Sequence, residues 1–422
     1  MTNVLDELQW RGLVSQTTDI DALRAAFENG PVTYYCGFDP TAPSLHHGHL
    51  VQLVVLKHLQ RAGHRPIALV GGATGLIGDP RMSGERVLNS KEVVAGWVER
   101  LRSQIERFLD FEGENAAMMV NNLDWHGQLS ALDFLRDVGK HYRLGTMLAK
   151  DTVARRLASD EGISFTEFSY QILQGMDFLE LNRRYGCTLQ TGGNDQWGNL
   201  LSGVELIRKS DRVAVHALTT PLITKADGTK FGKSEGGAVW LDPAMMSPYA
   251  FYQFWVNSDD RDVIGWLKTF TFRSRQDIEA LEQSLEERPQ AREAQKALAF
   301  DVTAMVHGER AAQQAIAASA ALFGRGAFED LAESTLVAVT AELDIATISV
   351  GSPVVDALVE AGLVQSKAAA RRAITEGGAS INNVRVSDVE AVFTEDQLLH
   401  GAWVILRRGK KAVAAGRVAT QE

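Results

Sequence analysis

Two apolar runs, Val32-Thr33-Tyr34-Tyr35-Cys36-Gly37-Phe38 and Arg65-Pro66-Ile67-Ala68-Leu69-Val70, flank an apolar helical stretch carrying Leu50, Val51, Leu53, Val54 and Val55. A strand, a helix and a strand packed into about forty residues close as a right-handed βαβ unit, because parallel neighbours need a crossover and a helix supplies it. That pattern predicts an α/β fold built on a Rossmann-like parallel sheet. Ligands of open parallel sheets lie beyond the carboxyl ends of the strands. The first run ends at Gly37 and leads into Asp39-Pro40-Thr41, and the second into the glycine-rich stretch Gly71 to Asp79. Two further strands are expected, Met118 to Asn122 and Thr188 to Gly193, the second leading into Asn194-Asp195-Gln196. All four ends are expected to meet in one crevice.

The helix after the first strand opens at Leu45-His46-His47-Gly48-His49. His46 and His49, three apart, fall on one face of its first turn, beside the unpaired N–H groups and positive dipole end that attract anions. Gly48 has no Cβ, so an adenine or ribose could lie flat on the backbone there. Far along the chain, Lys230-Phe231-Gly232-Lys233-Ser234 sets two lysines around a glycine, close to Gly228, Gly236 and Gly237. Such a loop can move, and its ammonium groups suit a leaving pyrophosphate. Either half alone is a common pattern; in this order the two point to ATP chemistry.

A chain of 422 residues exceeds one ordinary core, so two or three domains are expected. Its formal charge of -10 excludes indiscriminate binding to polyanions and confines any nucleic-acid contact to a local basic surface. Cys36 and Cys187 suggest neither a disulfide framework nor a structural zinc site, which fits a reducing cytoplasm. The first residues lack a basic region and an apolar run, and no segment approaches the ~20 apolar residues that span a bilayer. A cytoplasmic protein without a membrane partner is expected.

Residues 1–245 are expected to form the catalytic domain. From 246 to 324 the pattern turns helical, with Phe251, Phe254 and Trp255 at helical spacing and an amphipathic stretch from Gln290 to Met305. Residues 325–350, acidic and weakly periodic, read as a linker. In 351–422 the charge changes sign: from Lys367 to Arg417 there are nine Lys or Arg against five Asp or Glu. Arg371 and Arg372 fall on a helix ending at Gly377-Gly378, and Ile381 to Val386 and Ala402 to Leu406 read as short strands. A small α+β RNA-binding domain is expected, using Arg371, Arg372, Arg385, Arg407, Arg408, Lys410 and Lys411.

Cys36 to Thr41, His46 to Leu50, the glycine run ending at Asp79, Tyr170 to Asp177, Gly193 to Asn199 and Lys230 to Ser234 together resemble bacterial tyrosyl-tRNA synthetases, nearly end to end. The His46 and Lys230 segments are similar to the two signatures of class I aminoacyl-tRNA synthetases, and the last domain looks like an RNA-binding domain named after a small-subunit ribosomal protein. The resemblance implies activation of tyrosine with ATP to tyrosyl-adenylate and pyrophosphate, then transfer to tRNA(Tyr), by a homodimer, with Mg2+ accompanying ATP. It implies that Thr41 and His46 contact the γ-phosphate, that Cys36 and His49 hold the nucleotide and its ribose, and that Lys230, Lys233 and Arg86 act on pyrophosphate. Asp39, Gly48, Gly193, Asp195, Phe231, Gly232 and Ser234 complete the implied ATP site. For tyrosine, the implied contacts are Tyr35 and Asp177 on the phenol, and Asp79, Tyr170 and Gln174 on the ammonium group. Gly37 and Gln196 complete that pocket. His47, where the signature commonly has isoleucine, receives no role, and Arg81 stands in a loop that carries lysines in relatives. The alternatives are a tryptophanyl-tRNA synthetase, with a similar core, an RNA-binding accessory protein on a synthetase scaffold, and a nucleotidyltransferase that activates a small acid without tRNA. Intact phosphate-handling residues count against the second, and the basic tail against the third.

Overall fold

The βαβ unit opens a six-stranded sheet. In the computed structural model, which describes residues 3–81, 84, 86–229, 231, 238–409 and 411–419, the strands are β1 (Gln16–Thr17), β2 (Thr33–Phe38), β3 (Arg65–Val70), β4 (Met118–Asn121), β5 (Leu189–Gly193) and β6 (His216–Thr220). Their order is β1-β6-β5-β2-β3-β4, parallel throughout except for β1, which runs antiparallel to β6. β2 and β5, between which the chain switches from adding strands on one side of the sheet to adding them on the other, are paired through Tyr34 with Leu189 and Tyr35 with Gln190. The crossover helix is His47–Arg61; Leu50, Val54, Val55 and Leu59 on it are all buried. β1 and β6 were not legible, being two and five residues long with no alternating apolar pattern.

The chain divides into two compact units. The first, 1–245 with 258–298, holds this sheet and the helices Val263–Phe270 and Arg275–Glu287. Part of the expected helical domain 246–324 therefore belongs to the sheet-bearing unit. Arg11 ties the two ends of that unit together, its guanidinium donating to the carbonyls of Lys268 (3.0 Å), Thr271 (2.8 Å) and Arg273 (2.6 Å).

The second unit, 246–257 with 299–422, packs the helices Pro248–Val256, Glu309–Leu322 and Glu333–Thr340, and a five-stranded sheet. Its strands are β7 (Ile345–Ile348), β8 (Ala379–Ile381), β9 (Val384–Arg385), β10 (Trp403–Arg408) and β11 (Ala412–Val418), in the order β7-β11-β10-β8-β9. Two expectations are corrected here. The stretch 325–350 is no open linker: Phe328, Leu331, Leu336 and Val339 are buried, and β7 pairs parallel with β11. The single strand expected from Ile381 to Val386 is a hairpin, because Asn382 and Asn383 both adopt positive φ (48° and 65°) and turn the chain so that Ile381 faces Val384. Asparagine tolerates that conformation, and two such residues match the twist of the flanking strands. Among the described residues no helix is long and apolar enough to cross a membrane.

Candidate active site

The four strand ends of the larger sheet do converge. Asp39, just past β2, accepts from Thr74 Oγ1 (2.6 Å) beyond β3 and from the Tyr170 hydroxyl (2.6 Å) on the helix Phe165–Tyr185. Asn122, just past β4, accepts from the Ala73 N–H (2.7 Å) and donates to Thr74 Oγ1 (2.9 Å) and Asp177 Oδ2 (3.0 Å). Gln196, past β5, donates to Asp79 Oδ2 (2.9 Å), and Asn199 donates to Asp79 Oδ1 (3.2 Å). The result is a crevice lined with carboxylates: Asp39, Asp79, Asp177 and Asp195. Burial pushes the Asp39 carboxyl up to about 6 against the donors Thr74 and Tyr170, and Asp79 and Asp177 push the same way. Asp195 is also raised, chiefly by burial. Such a concentration of acid favours a cationic group in the crevice.

One wall is an apolar slot. Tyr35, Ile67, Leu69, Trp125, Met176 and Phe178 belong to one buried cluster, with the Tyr35 and Phe178 rings 5.3 Å apart. Tyr35 is 1% exposed and Asp177 2%. Among the described residues the buried Tyr35 hydroxyl has no hydrogen-bond partner, nor do Gln174 Oε1 and Gln190 Oε1, the last on the residue paired with Tyr35 across the sheet. A buried hydroxyl left unpaired costs about 1–3 kcal/mol, so these atoms remain open to a polar partner. Burial holds the Tyr35 phenol far above its ordinary range, as it does that of Tyr170.

The histidine turn opens the crossover helix that follows β2. His46 is the N-cap of the helix His47–Arg61 and its Nδ1 accepts from the Gly48 N–H (3.0 Å), while His49 Nδ1 accepts from the His46 N–H (3.2 Å). The expected common face is realised as stacked rings with centroids 4.0 Å apart. Desolvation lowers both imidazoles, His49 the more strongly. Each is therefore neutral, with Nδ1 accepting and the proton on Nε2. Gly48 has a structural use as well: a Cβ there would lie 2.9 Å from His46 Cε1, so its missing side chain makes room for the capping imidazole.

His47, without an expected role, joins the two signatures. Its ring packs on Phe231 (4.8 Å, 72°), which in turn meets Trp266 (4.6 Å) and Phe270 (5.7 Å). Phe231, expected at the ATP site, is 5% exposed and anchors the base of its loop in this aromatic cluster. Lys230, Gly232, Lys233 and Ser234 lie outside the described residues, as does Lys410.

The remaining expected residues fall around the crevice. Thr41 is exposed beside Asp39, Gly37 is exposed on β2, and Gly193 ends β5, where a Cβ would meet Asp195 Oδ1 at 2.6 Å. Cys36 is buried and its thiol is pushed up to about 12 by burial, so it is a neutral group. Arg86 Nε donates to the Asp79 carbonyl (2.6 Å), its side chain lying over Gly78, whose φ of +79° and lack of Cβ permit the approach. Sequence reasoning missed Asn199, fully buried, which links Asp79, Gln196 Oε1 (2.8 Å) and Lys150 Nζ (2.5 Å). It also missed the buried pair Arg156–Glu167 (2.8 Å): Arg156 holds the carbonyls of Arg81 (3.2 Å) and Gly84 (2.8 Å), and Glu167 Oε1 accepts from the Arg86 N–H (3.2 Å). A charge at a helix-spaced apolar position was the only signal. In the second unit Arg371, Arg372, Arg385, Arg408 and Lys411 are exposed, but Arg407 is not available to RNA: it is 8% exposed, and its guanidinium donates to the carbonyls of Leu322 (2.6 Å) and Ala321 (3.3 Å) and to Asn383 Oδ1 (3.1 Å).

A parallel sheet whose strand ends gather an acidic crevice, a histidine-capped helix start and a phenol-lined slot defines an enzyme of class I synthetase architecture. Residues 28–324 match the family described as tRNA synthetases class I (W and Y), and residues 338–414 the family described as Tyrosine--tRNA ligase SYY-like C-terminal domain. The tyrosine--tRNA ligase of Streptomyces coelicolor is 63% identical over 416 residues, 98% of this chain and 99% of that protein; that of Streptomyces avermitilis is 63% identical over 419 residues, 99% of each. A C-terminally truncated mitochondrial tyrosyl-tRNA synthetase of Aspergillus nidulans superposes with a TM-score of 0.68 at 31% identity, covering 75% of this chain and 92% of that one. The chain belongs to the tyrosine--tRNA ligases, within the class I tRNA synthetases of the tryptophan and tyrosine group.

Proposed function

We propose that this chain joins tyrosine to ATP in the crevice described above and passes the tyrosyl group to tRNA(Tyr). The observation that carries the reading is the buried, unpartnered Tyr35 hydroxyl in an apolar slot that also contains the Asp177 carboxylate. A phenol needs one donor and one acceptor in an otherwise dry pocket, and Tyr35 and Asp177 supply that pair. The side chain of tryptophan has only a donor, and that of phenylalanine has neither. Asp79, Tyr170, Gln174 and Gln196 are suited to the substrate ammonium group, since Asp79 is held from two sides by Gln196 and Asn199.

In the first step a carboxylate oxygen of tyrosine attacks the α-phosphorus of ATP, the new P–O bond forms as the bond to the β-phosphate oxygen breaks, and pyrophosphate leaves with that electron pair. In the second, a ribose hydroxyl at the 3' end of tRNA(Tyr) attacks the tyrosyl carbonyl carbon, the bond from that carbon to the phosphate oxygen breaks, and AMP leaves with that electron pair while its phosphate takes up the hydroxyl proton. The enzyme's part is positioning and neutralisation of charge. His46 and His49, neutral and protonated on Nε2, act as hydrogen-bond donors to phosphate and ribose. Thr41 assists at the γ-phosphate, Cys36, Asp39, Gly193 and Asp195 line the nucleotide, and Lys230, Lys233 and Arg86 receive pyrophosphate. Magnesium enters as part of the ATP substrate. The exposed Arg371, Arg372, Arg385, Arg408 and Lys411 supply the local basic surface for tRNA. A homodimer in the cytoplasm completes the reading: Leu132 (78% exposed), Leu144 (66%) and Phe165 (71%) are exposed apolar side chains that a second copy would cover.

The test is exchange of labelled pyrophosphate into ATP by the purified chain with tyrosine, phenylalanine or tryptophan. Exchange with tyrosine alone is expected, and Tyr35→Phe should lower the preference for tyrosine over phenylalanine about tenfold or more. Exchange driven by tryptophan, or by none of the three, would reject the reading.

A further inference from the structure

Asp177 is a deeply buried carboxylate held by an unusual set of donors. Its Oδ1 accepts from Trp125 Nε1 (2.9 Å) and His126 Nε2 (2.8 Å), and its Oδ2 from Asn122 Nδ2 (3.0 Å). Among the described residues no lysine or arginine pairs with it, so of its three partners only the imidazole of His126 can carry a positive charge. His126 ends the short helix Leu123–His126 that follows β4, and its side chain is 7% exposed. It was not among the residues expected from sequence, and nothing in the tyrosine chemistry derived above uses it.

Each oxygen of a carboxylate offers two in-plane lone pairs. Trp125 and His126 fill both on Oδ1, while Asn122 fills one on Oδ2, so a single acceptor position is left open. We infer that His126 is a specificity-determining positioning residue: through its Nε2–H it fixes Asp177 so that this one lone pair of Oδ2 meets the phenol hydroxyl of tyrosine. The inference rests on the reading that the slot takes tyrosine. Without the His126 donor, Oδ1 regains a free position and the carboxylate can turn about its Cβ–Cγ bond between Asn122 and Trp125. A water can then satisfy it, and the penalty that phenylalanine incurs by leaving it unpaired falls.

The experiment uses the full chain and pyrophosphate exchange at varied tyrosine, phenylalanine and ATP. Tyrosine-dependent exchange by the unaltered protein is measured first; its absence would remove the tyrosine reading itself, and this inference with it, before any variant is compared. His126→Phe keeps a ring without the donor, and His126→Gln keeps a donor nitrogen. The expected result is a rise of about tenfold to a hundredfold in the tyrosine KM of the Phe variant, the size of one hydrogen bond to a charged group. Its tyrosine-to-phenylalanine ratio of kcat/KM should fall by a similar factor, with the ATP KM within about twofold, and the Gln variant should recover most of both. A Phe variant within about twofold of the unaltered protein in tyrosine KM and in that ratio overturns the inference, as does a joint rise of the tyrosine and ATP KM that Gln fails to reverse. Should the Phe variant not fold, the 15N signals of the His126 ring in the unaltered protein, assigned by their loss in His126→Gln, still decide. A protonated Nε2 in the presence of tyrosine is expected, and an unprotonated Nε2, which could not donate, overturns it.

Discussion

Buried neutral histidines concentrate in the sheet-bearing unit, and each makes stability depend on pH. Desolvation lowers His47 to about 4, with His46 adding to the effect, and lowers His64 to about 4 and His58 to about 3. On unfolding each returns to an ordinary value near 6.5, so unfolding takes up protons between that value and the folded one. Their stabilisation is complete above about pH 6.5 and is lost as pH falls through 4. Asp39 has the opposite sign: raised to about 6 in the folded state, it loses stabilisation as pH rises from 3.8 to 6. The two raised carboxyls, Asp39 and Asp195, are outnumbered by the five lowered histidines His46, His47, His49, His58 and His64, so the slope keeps the sign of the histidines. Urea unfolding at pH 7, 6 and 5 should give a stability that falls as the pH is lowered, by about 1.4 kcal/mol per unit for each net proton taken up on unfolding; equal stability at the three values would contradict these environments. At this scale the sequence was informative about type and spacing. The three-residue interval of His46 and His49 was enough to stack their rings, because helix geometry is local. Nothing in the interval indicated that Gly48 makes room for an imidazole.

Among elements, the most consequential connection is the buried Arg156–Glu167 pair between the helices Asp151–Leu157 and Phe165–Tyr185. Both side chains are 2% exposed, and between them they hold backbone atoms of Arg81, Gly84 and Arg86. Breaking a buried pair by removing one partner leaves an uncompensated charge and costs about 3–5 kcal/mol. Arg156→Met should therefore destabilise the protein by that amount in denaturant titration and slow pyrophosphate exchange, because the segment bearing Arg86 loses its anchor. Arg156→Met combined with Glu167→Leu should cost less than the two changes summed. A single variant within about 1 kcal/mol of the unaltered protein would show that the pair is not a clamp. Tyr170 to Asp177 stood out in the sequence as a motif, but the ion pair of the helix Phe165–Tyr185 did not, since the sequence separation of the partners says nothing about which backbone they enclose. The hairpin at Asn382-Asn383 was missed for a related reason: two asparagines are compatible with a strand end, and only the pairing of Ile381 with Val384 reveals the turn.

For the whole molecule, a formal charge of -10 coexists with a basic terminal region whose arginines have unlike surroundings. Arg371 and Arg372 are exposed on the helix Lys367–Thr375, whereas Arg407 is buried and holds carbonyl groups. Arg371→Ala with Arg372→Ala should weaken binding of tRNA(Tyr), leave tyrosine-dependent exchange unchanged, and flatten the dependence of log K on log salt by about one to two units. Arg407→Ala should instead destabilise the second unit by about 1.5–3 kcal/mol, the worth of a hydrogen bond from a charged group, with the salt slope retained. A loss of salt slope in the Arg407 variant would reverse that assignment. The sequence by itself determined the parallel sheet, the location of the crevice at its strand ends, the phosphate-handling motifs and the family, because short-period hydrophobicity and residue spacing are properties of contiguous chain. Only the tertiary structure decided which polar groups at the strand ends hold one another. It also revealed that 325–350 is packed and not a linker, that Arg407 faces inward, and that His126 meets Asp177. Those outcomes depend on long-range closure, where burial and hydrogen-bond satisfaction, not local pattern, select each partner.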